Sequence, residues 1–334
     1  MPDATAENDL LKKILDLFPP APPGEVWAGD DMAVFPLGKV PFWSPEGAYS
    51  GGVSAGREED PGIAAGAEKY LLFASDCLAE NVHFDTRFSS FEDIGYKAVS
   101  VNVSDAAAMG AVAYRAIVSL AVPGGRAAEA ISRGIKEAAD KYSCPLVGGD
   151  LSYANEIFIS VAILATSLGP PVLRSGASAG DLIFVTGPLG AGYAGLRYLT
   201  DDHNCQNAAA ARHRRPEAKV GSGLAAKAAG ATAMMDLSDG LLVDLDRLAK
   251  ASGVGTELDL CPRHELADAE DALYGGDDYE LLFTAKDAAK VEETFLSRGL
   301  PAPLRIGKCV GEEKIRLYRG EPVEIRGFQH MFGD

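Results

Sequence analysis

The sequence predicts two mixed α/β domains, and three observations carry that prediction. The chain has 334 residues, roughly twice the length of a common domain of about 150. Its residues are 47% hydrophobic and 24% charged, enough apolar material for a sizeable core and too much for global disorder. Apolar runs of strand length alternate with helically spaced segments on both sides of Pro170-Pro171, as expected of α/β or α+β layers.

The elements follow in chain order. Leu10, Leu11, Ile14, Leu15, Leu17 and Phe18 recur at helical spacing over residues 8–18, with Asn8 or Asp9 as cap and Pro19-Pro20 as stop. Residues 36–68 are rich in Gly, Ser, Pro and Ala without periodicity, and read as a long loop insertion. A strand is expected at 70–75, ending at Asp76. A helix over 92–111 carries Ile94, Ala98, Val101 and Ala108 inward. A strand at 114–122, a helix at 126–142, a strand stopping at Gly148-Gly149 and an apolar strand at 156–167 complete the first half.

The second half opens with a strand over 180–187 that runs into a glycine-rich turn and a helix at 192–199. A helix at 217–230 and a strand at 233–236 follow. Leu241, Leu242, Leu245 and Leu248 give the next helix its inner stripe, and Gly253 closes it. Residues 272–285 read as a turn followed by a strand.

Charge narrows the function. The formal net charge is −17, which argues against nucleic acid or an anionic membrane as partner. No apolar run reaches the 18 or so residues of a membrane span, and the first twenty residues lack the features of a signal peptide. Five scattered cysteines, none in a CxxC pair, fit reduced thiols and a cytoplasmic location.

The informative feature is where the aspartates fall. Asp30-Asp31, Asp76, Asp105, Asp150, Asp236 with Asp239, and Asp277-Asp278 sit at element ends, mostly beside glycine or an apolar strand. Any one of these is a common turn former or helix cap. Six such clusters in one chain suggest carboxylates held toward a common cleft. Hard oxygen ligands of this kind suit Mg²⁺ shared with substrate phosphates. There is no P-loop, kinase HRD/DFG set or Ser-His-Asp grouping. The spaced glycines of residues 187–195 are equally well explained by close packing, and His83 by a structural role.

Taken in order, these segments resemble the thiamine-monophosphate kinase family, in the superfamily of aminoimidazole ribonucleotide synthetase and selenophosphate synthetase. The resemblance is carried by GDDMAVF (29–35), ASDCLAENVHF (74–84), DIGYKAVSVNVSDAAAMGA (93–111), LVGGD (146–150), LRSGASAGDLIFVTGPLG (173–190), MMDLSDGLLVDL (234–245) and GGDDYELLFT (275–284), and it ends near GFQHMF (327–332). It implies an N-terminal ATP/Mg-binding and dimerisation domain at 1–169 and a C-terminal α/β domain at 170–334. It also implies a homodimer whose N-terminal domains pair strands into a shared barrel.

The implied reaction is phosphoryl transfer from ATP to thiamine monophosphate. Carried over by position, the resemblance makes Asp31, Ser75, Asp76, Asp105, Asp150, Asp236 and Asp239 metal ligands, with Asp30 assisting. Gly149, Asp150, Arg174 and Ser238 would meet the nucleotide, and His83, Asp277 and Phe328 thiamine monophosphate. Two positions depart from the family pattern: Ala74 replaces a hydroxyl residue, and Leu151 replaces a threonine. The attacking phosphate oxygen is already anionic at neutral pH, so no general base is assigned. The alternatives are another ATP-using member of the superfamily with a different substrate, and a non-catalytic nucleotide- or metal-binding relative. Loss of an essential aspartate would mark the latter, and none is lost here.

Overall fold

The computed structural model describes residues 30–36 and 68–330. The helix expected at 8–18 and nearly all of the insertion read at 36–68 lie outside the described residues. Two sheets organise the rest. The first has strand order β1-β2-β5-β3-β4, formed by Ala33–Pro36 (β1), Lys69–Ala79 (β2), Val112–Val122 (β3), Leu146–Tyr153 (β4) and Phe158–Leu168 (β5). Its neighbours pair antiparallel except β3 with β4, which run parallel.

Side chains alternate across this sheet, as pleating requires. Leu72, Ile159, Val161, Ile163, Val118 and Leu120 are buried on one face. Helices α1 (Phe91–Ala108) and α2 (Gly125–Lys141) pack there and join the same core through Ile94, Val101, Ile131 and Ile135. A capping box starts α1: Ser90 Oγ accepts from the Asp93 amide at 3.1 Å, and the Asp93 carboxylate accepts from the Ser90 amide at 3.2 Å. The opposite face leaves Phe73, Ile117 and Phe158 exposed.

The second sheet has order β12-β11-β8-β10-β6-β9-β7. Its strands are Leu182–Val185 (β6), Ala233–Asp236 (β7), Gly255–Leu258 (β8), Leu281–Ala285 (β9), Leu304–Val310 (β10), Arg316–Tyr318 (β11) and Glu321–Pro322 (β12). Helices Ala191–Asp201 (α3), Ala208–Arg214 (α4), Val220–Ala229 (α5), Leu241–Ser252 (α6), Ala269–Tyr274 (α7) and Ala288–Ser297 (α8) accompany it. Leu241, Leu242, Leu245 and Leu248 lie in its core, as their spacing indicates.

Helix α1 is buried on nearly every side, because it is shared. One side lies on the first sheet and α2, the other on α5 and β7. The approach is close: a Cβ at Gly223 of α5 would sit 2.0 Å from the Ala107 carbonyl oxygen. Only glycine fits there. An all-round buried helix can present polar residues to a second partner without exposing them to bulk water, and this one does.

Candidate active site at the shared helix

Four segments bring carboxylates together. Asp31 stands just before β1, Asp76 on β2, Asp105 near the C-terminal end of α1, and Asp236 at the end of β7. Oxygens of Asp31, Asp105 and Asp236 all lie within 4.8 Å of one another. Asp31 and Asp236 are buried and Asp105 is half-buried, whereas Asp76 is exposed, so the group opens on its Asp76 side. Like charges this close, out of water, disfavour ionisation. Burial, with Asp31 as the nearest like charge, pushes the Asp236 carboxyl up to about 8. Burial and the charges of Asp76 and Asp236 hold Asp105 well above the usual range. Asp76, exposed as a residue, is raised too, because the surrounding protein displaces water from its carboxylate and Asp31 and Asp239 add like charge.

Two neighbours temper the repulsion. Ser104, beside Asp105 on α1, donates to Asp236 Oδ2 at 2.5 Å. Arg174 forks onto Asp31, with Nε 3.1 Å from Oδ2 and Nη2 2.9 Å from Oδ1. One guanidinium cannot offset four carboxylates, so the group relieves its repulsion by holding protons. That donor set, all oxygen and mutually repelling, fits a divalent cation such as Mg²⁺.

Around the group runs the loop from β7 to α6. The Asp239 amide and the Gly240 amide both donate to Asp244 Oδ2, at 3.0 and 3.2 Å. Arg247 Nη1 donates to Asp244 Oδ1 at 2.8 Å and pairs with Asp239. This brace holds the loop and leaves its backbone carbonyls for the other side of the site. The Ser238 carbonyl accepts from the Asp277 amide, and the Asp239 carbonyl accepts from the Phe328 amide, each at 2.9 Å.

The second carboxylate environment lies there. Asp277 Oδ2 is 2.8 Å from Lys97 Nζ and 3.3 Å from His213 Nδ1, and Oδ1 accepts from the Tyr279 hydroxyl at 3.3 Å. His213 lacks the alignment of a hydrogen bond to Asp277, so both its ring nitrogens are buried without one. Burial opposes ionisation of Asp277, but the Lys97 ammonium and His213 win, and its carboxyl falls far below the usual range. Lys97 also donates to the His83 carbonyl at 3.0 Å. His83 Nδ1 accepts from the Ala79 amide at 3.0 Å, which leaves the ring proton on Nε2. The His83 and His330 ring centroids are 5.3 Å apart, and those of Phe328 and His330 5.0 Å. The three rings form an aromatic edge next to Asp277.

Several sequence expectations need correction. The strand at 70–75 does not end at Asp76: it continues to Ala79, so alternation puts Ser75 on the outer face, where its Oγ lies 3.2 Å from Ser160 Oγ. The strand at Leu146–Tyr153 likewise runs through Gly148-Gly149, because neither a glycine pair nor an edge position ends a ladder. Asp150 pairs in register with Ser119 and is bonded by Ser152 at 3.0 Å. It shares the exposed outer face with Ser75, as Gly149 lies on the same edge strand, and neither joins the Asp31–Asp105–Asp236 group. Asp30 spends its carboxylate on the Arg174 and Asp31 amides, at 3.1–3.2 Å, and burial raises it to about 6.

The departures fall at different depths. Ala74 packs partly buried against the first core, while Leu151 is 63% exposed on the edge strand. The glycine-rich turn before α3 is not free for phosphate: Asp278 accepts from the Gly190 amide at 2.6 Å and the Gly192 amide at 3.1 Å. Sequence reading missed Lys97, Ser104, His213 and His330. The first two were detectable as polar residues seven apart, on one stripe of a helix buried on nearly every side. Nothing in the local sequence marks the last two.

The comparisons with known proteins agree with this architecture. Residues 58–167 match the AIR synthase related protein N-terminal domain, and residues 178–320 its C-terminal domain. The thiamine-monophosphate kinase of Rhodopirellula baltica is 36% identical over 313 residues, covering 86% of this chain and 92% of that one. That of Bacillus subtilis is 38% identical over 231 residues, covering 64% and 71%. The solved structure described as AaThiL complexed with AMPPCP and TMP superposes with a TM-score of 0.76 and 31% identity, covering 99% of each chain.

Proposed function

The chain belongs to the thiamine-monophosphate kinase family, and from that membership we propose that it phosphorylates thiamine monophosphate with ATP, giving thiamine diphosphate and ADP. The observation that supports this best is the junction at residues 236–240. One loop carries Asp236 and Asp239 toward the acidic group and offers its carbonyls to Asp277 and Phe328. Phosphates on the acidic side and a cationic ring on the Asp277 side would then lie back to back.

The chemistry follows from what these residues can do. Asp31, Asp76, Asp105, Asp236 and Asp239 would hold Mg²⁺, with Ser75, Asp150 and Asp30 as outlying members of the expected set. Bound there, several Mg²⁺ ions would neutralise the two phosphate chains and the charge that develops on transfer. Arg174, released from Asp31, has the planar fork that suits a nucleotide phosphate, and Ser238 and Gly149 are expected to meet the same nucleotide. The acceptor phosphate oxygen attacks the terminal phosphorus of ATP in line, and the bond to the ADP oxygen breaks. No side chain need remove a proton, and no phosphoenzyme forms. On the acceptor side, ionised Asp277 and the faces of Phe328 and His83 complement a positively charged thiazolium ring.

The wider reading is of one piece with this. The chain divides near residue 169, between the first sheet and the second. Phe73, Ile117, Leu151, Tyr153 and Phe158, between 42% and 63% exposed apart from Tyr153 at 77%, cover a sheet face and edge suited to a homodimer barrel. Among the described residues no helix is long and apolar enough to cross a membrane, and all five cysteines are free, in keeping with a cytoplasmic enzyme.

The test is ADP release with ATP, Mg²⁺ and thiamine monophosphate, with thiamine and an aminoimidazole ribonucleotide precursor in parallel. ADP and thiamine diphosphate should form one for one with thiamine monophosphate alone. ATP binding without that turnover would move the chain to a relative with another substrate.

A further inference from the structure

Lys97 has no part in the reaction as described, yet its placement is unusual. Its side chain is 3% exposed, and a buried ammonium is costly unless every proton finds an acceptor. It bonds to two groups far apart in sequence: the His83 carbonyl at 3.0 Å and Asp277 Oδ2 at 2.8 Å. Those are the two residues expected on the thiamine monophosphate side. One comes from the turn after β2 and the other from the second half of the chain. Asp277 itself is held in a conformation with φ of +66°, unusual for a side chain other than glycine. Its side chain remains 28% exposed, with Lys97 on Oδ2 and only the long contact from the Tyr279 hydroxyl on Oδ1.

Lys97 and Ser104 lie on one stripe of α1, two turns apart. Ser104 bonds Asp236 in the acidic group, and Lys97 bonds Asp277 across the loop. A single rigid helix thus sets the spacing between the phosphate side and the ring side.

We propose that Lys97 is a positioning residue for thiamine monophosphate: by tying the His83 carbonyl to the Asp277 carboxylate, it fixes the separation of the two groups that hold the acceptor. The inference rests on the kinase reading above and adds to it a residue that touches neither nucleotide nor acceptor. It requires that loss of Lys97 weaken acceptor binding and leave nucleotide binding intact, because Asp31, Asp105, Asp236 and Arg174 do not contact it.

The experiment is steady-state kinetics of Lys97→Met and Lys97→Gln beside the wild type, with melting curves and AMPPCP binding in Mg²⁺. Loss of a charge-assisted contact should raise KM for thiamine monophosphate about tenfold or more in Lys97→Met, with KM for ATP and AMPPCP affinity unchanged within about twofold. Lys97→Gln, which can still bond both oxygens, should recover part of the loss, and it carries the test should Lys97→Met not fold. An unchanged KM for thiamine monophosphate overturns the proposal, as does an equal rise for both substrates. If the wild type itself fails to turn over thiamine monophosphate, the kinase reading falls and this role with it.

Discussion

Asp105 and Asp277 are the same residue type, on opposite sides of one loop, in opposite electrostatic states. Asp105 is surrounded by other carboxylates, and burial with their charges holds its proton on. Asp277 is just as enclosed, but Lys97 and His213 keep it ionised. The difference teaches that burial alone decides little: the sign of the neighbouring charge determines whether a carboxylate is a poised cation ligand or a settled anion. Unrelieved repulsion is what a metal site holds before its ion arrives, and a settled anion is what a cationic ring requires.

The same substitution at the two positions should therefore act very differently on stability. Asp277→Asn strands the Lys97 ammonium in the interior and should lower unfolding free energy by about 3–5 kcal/mol, measured by denaturant titration. Asp105→Asn replaces a carboxyl that already holds its proton and should leave metal-free stability about equal, while turnover falls by about 10²–10³-fold. Equal destabilisation in both variants would show that the contrast is not electrostatic.

A smaller effect separates them by pH. Asp236, raised to about 8, and Asp30, raised to about 6, keep their protons longer in the folded state than in the unfolded chain. Stability of the metal-free protein should then decline as pH rises from about 4 toward about 8. Asp277 is shifted the other way, so its contribution is already complete above about pH 4 and is flat across this window. Melting curves at pH 5.5 and 8 should show the decline, and Mg²⁺ should remove most of it. A Mg²⁺ effect that is the same at both pH values would sink the cation assignment. The smallest effect is expected at the aromatic edge. Phe328→Ala should raise KM for thiamine monophosphate about two- to fivefold, the scale of an exposed cation–π contact, without changing KM for ATP.

Much of this site was legible because aspartate is a local signal. Asp31, Asp105, Asp236 and Asp239 stand at or near element ends beside glycine or apolar runs; the fold brings the first three within 4.8 Å and sets Asp239 where its charge acts on Asp76. Asp150 and Ser75 carried an equally clear local signal and landed on the outer face of the first sheet. A one-residue difference in where a strand is taken to end reverses the face of every side chain on it, and Asp76 was misread as a strand end for the same reason. Helices fared better, since a 3.6-residue stripe is redundant over several turns. Strands β8, β10, β11 and β12 and helices α4, α7 and α8 went unread, and of these β11, β12, α4 and α7 carry too few residues for either period to show.

By itself the sequence determined the two-layered α/β character of both halves, the apolar faces that build their cores, and the chemistry of the site as oxygen donors without a general base. Those properties are local: they depend on residue type and spacing along a few turns of chain. Only the tertiary structure decided which aspartates share a site, that Arg174 neutralises Asp31, that Asp278 rather than a phosphate occupies the glycine-rich turn, and that Lys97 joins His83 to Asp277. The pairs Arg174–Asp31, Gly190–Asp278 and Lys97–Asp277 each join residues more than 80 positions apart, and no period in a sequence encodes the charge of a neighbour that arrives from the other half of the molecule.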